Sequence, residues 1–302
     1  MMTETDHSRQ VPKKVSCPGG LSWANLRAEL RAIWESNVKV WKIELAYPLS
    51  FLRQSVQPLV MLLPFLLYGL VLVGGRYSEP LQGLLGTVNP VDVVTYIFTG
   101  YMIMGFIGTA VWGMGFSIRR EQWFGTLESI YVTPTSRLSL VLGMALHSTM
   151  HQSISTGIEF LTIYVIFGLA LKIQGILPAL IIFALMMFAL YGFGVLISAL
   201  ALFLKEGWIV AEGLYSVLMV LSPVAYPLAV LPNIVRRVSG AFPTGPALVG
   251  MRSFLLEGYP PQRMGGVFLH LLALDGAWIL FGILVFYLVD AHVRSRGSLG
   301  KY

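Results

Sequence analysis

Arg119-Arg120-Glu121-Gln122-Trp123-Phe124-Gly125-Thr126-Leu127-Glu128, continuing to Thr133-Pro134-Thr135-Ser136-Arg137, is a charged island between two very long apolar runs. Helix rises about 1.5 Å per residue, so each flanking run is long enough to cross roughly 30 Å of hydrocarbon. The island itself is too polar to stay in lipid. Its position between two spans suggests a docking surface for a soluble partner.

The whole chain agrees with this reading. It has 302 residues, of which 56% are hydrophobic and only 12% charged, with mean hydropathy +0.72. Soluble domains carry roughly 25% charged residues. The fold class is therefore an all-α integral membrane protein, because the ten-residue alternation of a barrel is absent. Net charge is +6 and the pI about 9.4. The basic residues flank apolar runs, so they speak for topology and anionic headgroups and not for nucleic acid. Cys17 is the single cysteine, which rules out an intrachain disulfide and a cysteine metal cluster. Residues 1–21 are polar and contain Pro12, Pro18, Gly19 and Gly20. No apolar signal core follows them, so a disordered cytoplasmic tail is expected.

Working outward from the island, residues 22–47 form an amphipathic pattern. Trp23, Leu26, Leu30, Ile33, Trp34, Val38, Trp41 and Leu45 share one face, and Arg31, Glu35, Lys39 and Lys42 the other. Tryptophans suit the headgroup boundary, so this is an interfacial helix. A six-span domain is expected over 48–290, with spans at about 49–73, 91–118, 138–171, 176–204, 208–226 and 264–289, and a cytoplasmic tail at 291–302. Lys and Arg concentrate before span 1, in the island, after span 4 and at the C-terminus. Both termini are therefore expected in the cytoplasm, in the plasma (inner) membrane. The four arginines between spans 5 and 6 run against that bias. In that segment, Pro223, Pro227, Pro232, Pro243 and Pro246 punctuate short helical stretches, which predicts a re-entrant segment over 228–258.

Wound as one helix over 119–133, the island places Trp123, Phe124, Leu127, Ile130 and Tyr131 on one face. Glu121 and Glu128 then stand at its rim. Arg120-Glu121, Gly125-Thr126-Leu127-Glu128 and Thr133-Pro134-x-Ser136-Arg137 resemble the coupling-helix motif of type-2 ABC exporter permeases of the drug-resistance or lipid-exporter kind. The resemblance extends over nearly the whole chain, through the amphipathic first helix, the six spans and the Pro-rich segment after span 5. The stretch Phe242-Pro243-Thr244-Gly245-Pro246 departs from the Asn-Pro-Leu-Thr-like pattern of many members.

The resemblance implies a permease subunit moving a hydrophobic or amphipathic solute outward. Two permease copies, expected as a homodimer, would each engage one ABC ATPase subunit. Coupling falls to Glu121, Phe124, Gly125, Thr126, Leu127, Glu128 and Tyr131. ATP and Mg would be bound by the partner ATPase, and no cofactor by this chain, which lacks a G-x-x-x-x-G-K-[ST] phosphate loop. It would not be an enzyme itself. Glycan or glycolipid export within the same superfamily is the alternative, and a stand-alone proton-coupled carrier or a membrane enzyme come after it.

Other polar residues stand inside the spans. His147, Ser148, His151, Gln152, Ser155, Glu159 and Thr162 form a stripe in span 3. It reads as a hydrogen-bonded helix contact, a substrate or proton path, or a metal site. No third metal ligand is evident, so no metal is assigned. Glu212 faces Lys205 by spacing, and Asp275 has no evident partner. The glycines of span 2, with Tyr101, Phe106 and Trp112, and Tyr215 and Met219 in span 5, are candidates for lining a substrate path.

Overall fold

The computed structural model describes residues 23–79, 82, 91–133, 135–204, 207–224, 226–258, 260 and 265–296. The tail expected at 1–21 and Lys205 lie outside the described residues; of the tail expected at 291–302, residues 291–296 continue the last helix and the rest lies outside them. Apolar segments that enter lipid must close their backbone hydrogen bonds internally, and helices do this within one segment. Helix α1 (Trp23–Ala46) leads through Tyr47 into α2 (Pro48–Val73). Pro48 opens α2, where its missing N–H leaves nothing unpaired. Gly74, at φ 75°, closes it with a left-handed turn whose N–H returns to the carbonyls of Leu70 and Val71.

A two-residue antiparallel ladder, β1 (Tyr77–Ser78) against β2 (Val91–Asp92), precedes α3 (Val93–Gly108). The Asp92 side chain caps α3 by accepting from Val94 N at 3.2 Å. A π turn, Thr109–Met114, extends α3. Then come α4 (Ser117–Trp123), α5 (Leu127–Val132), α6 (Arg137–Phe167), α7 (Ile176–Phe203), α8 (Gly207–Leu221), α9 (Asn233–Gly240) and α10 (Thr244–Arg252). A second π turn, Ser253–Glu257, follows α10, and α11 (Gly265–Arg296) ends the described chain.

Four segments are long and apolar enough to cross a membrane: Pro48–Val73, Val93–Met114, Ile173–Phe203 and Gly265–Val293. Two of the six expected spans fall outside that set for different reasons. Helix α6 has the length, at 31 residues, but its polar stripe lowers its hydropathy. Helix α8 is apolar but has only 15 residues, about 22 Å of helix. The third expected span also ends early. Gly168, at φ 68°, stops α6 at Phe167, short of residue 171.

Helices α3 and α7 occupy the centre, and α2 and α11 lie outside with few of their residues fully buried. Ile107, Met186, Leu190, Leu248 and Phe254 meet in the main core. Backbone contact without intervening side chains joins α7 to α11. A methyl group at Gly282 would sit 2.1 Å from the Gly192 carbonyl oxygen, and one at Gly192 would sit 2.5 Å from the Ile279 nitrogen. Helix α3 meets α6 differently. There Gly105 and Gly113 make room for the side chains of Gln152 and Ser148, each within 2.3 Å of where a Cβ would stand. The glycines of α3 thus seat the polar stripe of α6.

The bundle has two distinct ends. At one, α4 and α5 join the N-terminus of α6 and the C-termini of α7 and α11, and Arg137 donates to Asp290. At the other, Arg76 pairs with Asp92 at 3.2 Å and donates to the Gly168 carbonyl at 2.9 Å. That second end also holds α9 and α10.

Candidate functional site

The charged island is two helices and not the single helix expected over 119–133. Helix α4 ends at Trp123, Phe124 caps it, and Gly125 adopts φ 69° before α5 begins at Leu127. The left-handed turn reverses the apolar pattern. Leu127 turns inward and packs with Met114, Ile118 and Val141, while Trp123 and Phe124 are 69% and 74% exposed. Val132 is also exposed. Glu128 and Tyr131 lie in α5, and their side chains fall outside the described residues.

Glu121 does not stand at an open rim. It is buried, and Lys39 Nζ from α1 reaches both of its carboxylate oxygens at 2.8 Å. Thr126, one step past Gly125, donates its hydroxyl to the same carboxylate, so the turn at Gly125 is closed onto Glu121. Burial pushes the Glu121 carboxyl up. The hydrogen bonds from Lys39 and Thr126, with the charges of Lys39 and Arg120, outweigh this and leave it below its ordinary range. Arg120 is itself lowered, by burial, against the pull of Glu121 and Glu44.

Helix α1 holds this arrangement in place, and it has three faces. Its apolar face, with Leu26, Leu30, Trp34 and Leu45, is exposed. A second stripe at three- and four-residue spacing lies about 90° away at 100° per residue: Glu29, Ile33, Ser36, Val40 and Glu44. This stripe packs on α6. Glu29 accepts from Ser136 N at 3.3 Å and from the Ser139 hydroxyl, so it caps the start of α6 from another helix. Ser36 and the Ile33 carbonyl press on Gly143, where a methyl group would be 2.5 Å from Ser36 Cβ. Glu44 meets His147 Nε2 at 3.0 Å. Contacts advance along both helices in the same direction, from Glu29 at the start of α6 to Glu44 at His147. Lys39 stands at the border of the third, charged face, which lets it reach the island.

The candidate path residues separate into two groups. Trp112 lies 6.3 Å from Tyr215 and 5.1 Å from Trp208 between ring centroids, so α3 and α8 do bring these together, with Met219 half-buried on α8. Tyr101 and Phe106 pack inward. Tyr101 donates to the Pro58 carbonyl at 2.9 Å, and Phe106 meets Phe183 edge-on at 4.7 Å. In the polar stripe, His147 and Glu159 are buried, and both carboxyl oxygens of Glu159 lack a partner among the described residues. Glu212 is exposed, and Asp275 is buried with its Oδ1 unpartnered among the described residues.

At the opposite end lies Arg252, one of the four arginines between the fifth and sixth expected spans. It is buried and donates to the carbonyls of Pro223 at 2.7 Å, Val224 at 2.6 Å and Tyr96 at 2.8 Å. Its guanidinium lies 3.5 Å from the Tyr96 ring centroid, over the ring face. Pro223 ends α8 and leaves its neighbouring carbonyls to be met from elsewhere, and Arg252 meets them. Gly100 is part of the same knot, since a methyl group there would sit 2.0 Å from the Val224 carbonyl oxygen. The divergent stretch 242–246 belongs to it too. Thr244 takes a 2.6 Å hydrogen bond from Ser222, and Phe242 stacks on Trp278.

These features define a multi-pass helical membrane protein with a charged, helical island at one end and a proline-broken helical cap at the other. The family described as ABC-2 type transporter matches residues 32–256. The chain belongs to that family, as a membrane-spanning permease part of an ABC transporter. That family membership carries with it, in general, a partnership with an ABC ATPase. No curated protein matches the chain.

Proposed function

We propose that this permease works as the transmembrane half of an exporter for a hydrophobic or amphipathic solute, of the drug or lipid-like kind. Six spans cross the plasma membrane, α6 and α8 among them, with both termini and the island in the cytoplasm and α1 lying in the interface. Two copies form a homodimer, and each island docks on one separate ATPase subunit, which binds ATP and Mg. Residues Phe124 and Trp123, with Glu128 and Tyr131 of α5, supply the contact. Glu121, Gly125, Thr126 and Leu127 hold its shape.

One observation carries the reading. Two large aromatic side chains stand exposed between Glu121, which Lys39 of α1 holds, and Leu127, which packs into the bundle. A rigid apolar knob on an otherwise charged end suits a groove in a soluble partner. The positive residues favour the cytoplasmic side for it.

The tagged chain is purified from its native membranes and the co-purifying ATPase activity is measured. Phe124→Ala and Glu128→Lys are each expected to lose most of that activity while the permease stays in the membrane at normal level. Undiminished co-purification and activity in both variants would show that the island is not the docking surface.

A further inference from the structure

Where the end of α1 meets α6, polar atoms are buried with fewer partners than their chemistry requires. His147 is 3% exposed and faces Oε1 of Glu44 through Nε2. Among the described residues, its Nδ1 has no partner, and neither do Oε2 of Glu44, Nε2 of His151 or Nε1 of Trp41. Rings close the space around them. Trp41 lies edge-on to His147 at 4.8 Å, and Phe51, at the start of α2, lies edge-on to His151 at 5.4 Å. The two imidazoles are 6.4 Å apart.

The charged and titratable groups facing this cluster are Glu44 from α1, His147 and His151 from α6, and Arg120 from α4, whose charge acts on Glu44. Helix α2 adds only Phe51. Among the described residues no group of three His, Cys, Asp or Glu side chains is placed to hold a metal ion. The ligand that fits one carboxylate and two imidazoles with spare nitrogens is a proton.

We propose that Glu44, His147 and His151 form a proton-binding latch that fastens α1 to α6 when one imidazole is charged and loosens it when both are neutral. Histidine is the side chain whose ordinary titration falls between about pH 5 and 8. A charged imidazole turns the contact with Glu44 into a charge-assisted hydrogen bond, roughly twice as strong as its neutral counterpart. The apolar walls of Trp41 and Phe51 sharpen that difference, because low local dielectric strengthens the pair. His151, with its ring 6.4 Å from that of His147, is the second imidazole in the same pocket. Burial acts to raise the Glu44 carboxyl, but His147, His151 and Arg120 hold it below its usual range. The contact is tight at mildly acidic pH and loosens as pH rises through the imidazole range. The latch joins α1 to α6, with Phe51 of α2 and Arg120 of α4 beside it, and does not depend on the docking role of the island.

Hydrogen exchange of the full chain, purified with whatever subunits it carries, tests this. Exchange in residues 33–46 is followed from pH 5.5 to 8, corrected for intrinsic chemistry and referred to α11. Wild-type α1 is expected to exchange roughly fivefold more slowly at the acid end, the size of a strengthened single hydrogen bond. Glu44→Gln and His147→Gln are each expected to flatten the profile. A wild-type α1 that tracks α11 at every pH overturns the latch, as does a step that survives in Glu44→Gln. Should those variants not fold, the indole offers a second reading. A charged imidazole against Trp41 quenches its emission, so wild type minus Trp41→Phe should show quenching that fades between pH 5.5 and 8. A pH-independent difference overturns the proposal equally.

Discussion

Lys39 on the first helix holds both carboxylate oxygens of Glu121 at 2.8 Å, so the island is tied to α1 as well as to the helices it connects. The two ends of this pair differ in exposure, with Lys39 at 45% and Glu121 at 5%. Half-exposed ion pairs contribute under about 1 kcal/mol to stability, so its importance lies in where it sets the island. Lys39→Glu is expected to cut transport-coupled ATPase activity several-fold, and Lys39→Glu with Glu121→Lys to recover part of it. Equal loss in the single and the paired variant would remove the pair from the coupling path.

The same pair has a pH signature. Glu121 is depressed, so its contribution is complete above the ordinary carboxylate range and fades as acid protonates it in the folded state. The melting midpoints of wild type and Lys39→Ala should differ slightly at neutral pH and converge well below about pH 4.3. A gap that persists in strong acid would mean Lys39 acts through packing.

Arg252→Met should be costly. It leaves the carbonyls of Pro223 and Val224 without their Arg252 donor, at about 1–3 kcal/mol for each that finds no water, while the Tyr96 carbonyl keeps the Thr99 hydroxyl. Arg252→Lys should recover only part, because an ammonium lacks the planar fork. Thermal unfolding in detergent measures both, and a lysine variant as stable as wild type would contradict the geometry.

Two glycines of α11 make a matched pair for test. Gly282→Ala drives a methyl group into the Gly192 backbone, while Gly276→Ala meets nothing within 4 Å. The first should destabilise by about 1–3 kcal/mol. The second should be neutral or slightly stabilising, since alanine favours helix by about 1 kcal/mol over glycine. Melting curves that rank the two the other way would refute the close α7–α11 packing.

Gly125→Ala isolates backbone strain, because φ is 69° there and nothing crowds the position. It should cost about 1 kcal/mol, and Gly125→Asn less. Faster hydrogen exchange across 117–132 in the alanine variant, with the rest of the chain unchanged, is the expected result.

The first helix, the long apolar helices and the proline-broken cap were all legible from periodicity and punctuation. The break at Gly125 was not, because the apolar spacing from Trp123 to Tyr131 continues through a glycine and carries no sign of φ. Glu121 looked like rim because local geometry cannot see a lysine 82 residues away. The histidine stripe was visible, but its partner Glu44 comes from a face of α1 too polar to register as a packing stripe. Arg252 showed only as one of four arginines set against the charge bias. A buried arginine and a topological one look alike until the elements that supply its acceptors are brought together.

The π turn at Thr109–Met114 has a consequence for how α3 carries displacement. One extra residue is accommodated there, and in an ordinary helix each residue is worth about 100° of rotation. Moving that bulge by a turn, or resolving it into regular helix, would swing Trp112 around the axis while the helix ends stayed nearly level. A push at the island would then arrive at the opposite face as torsion, the action of a screw and not of a piston.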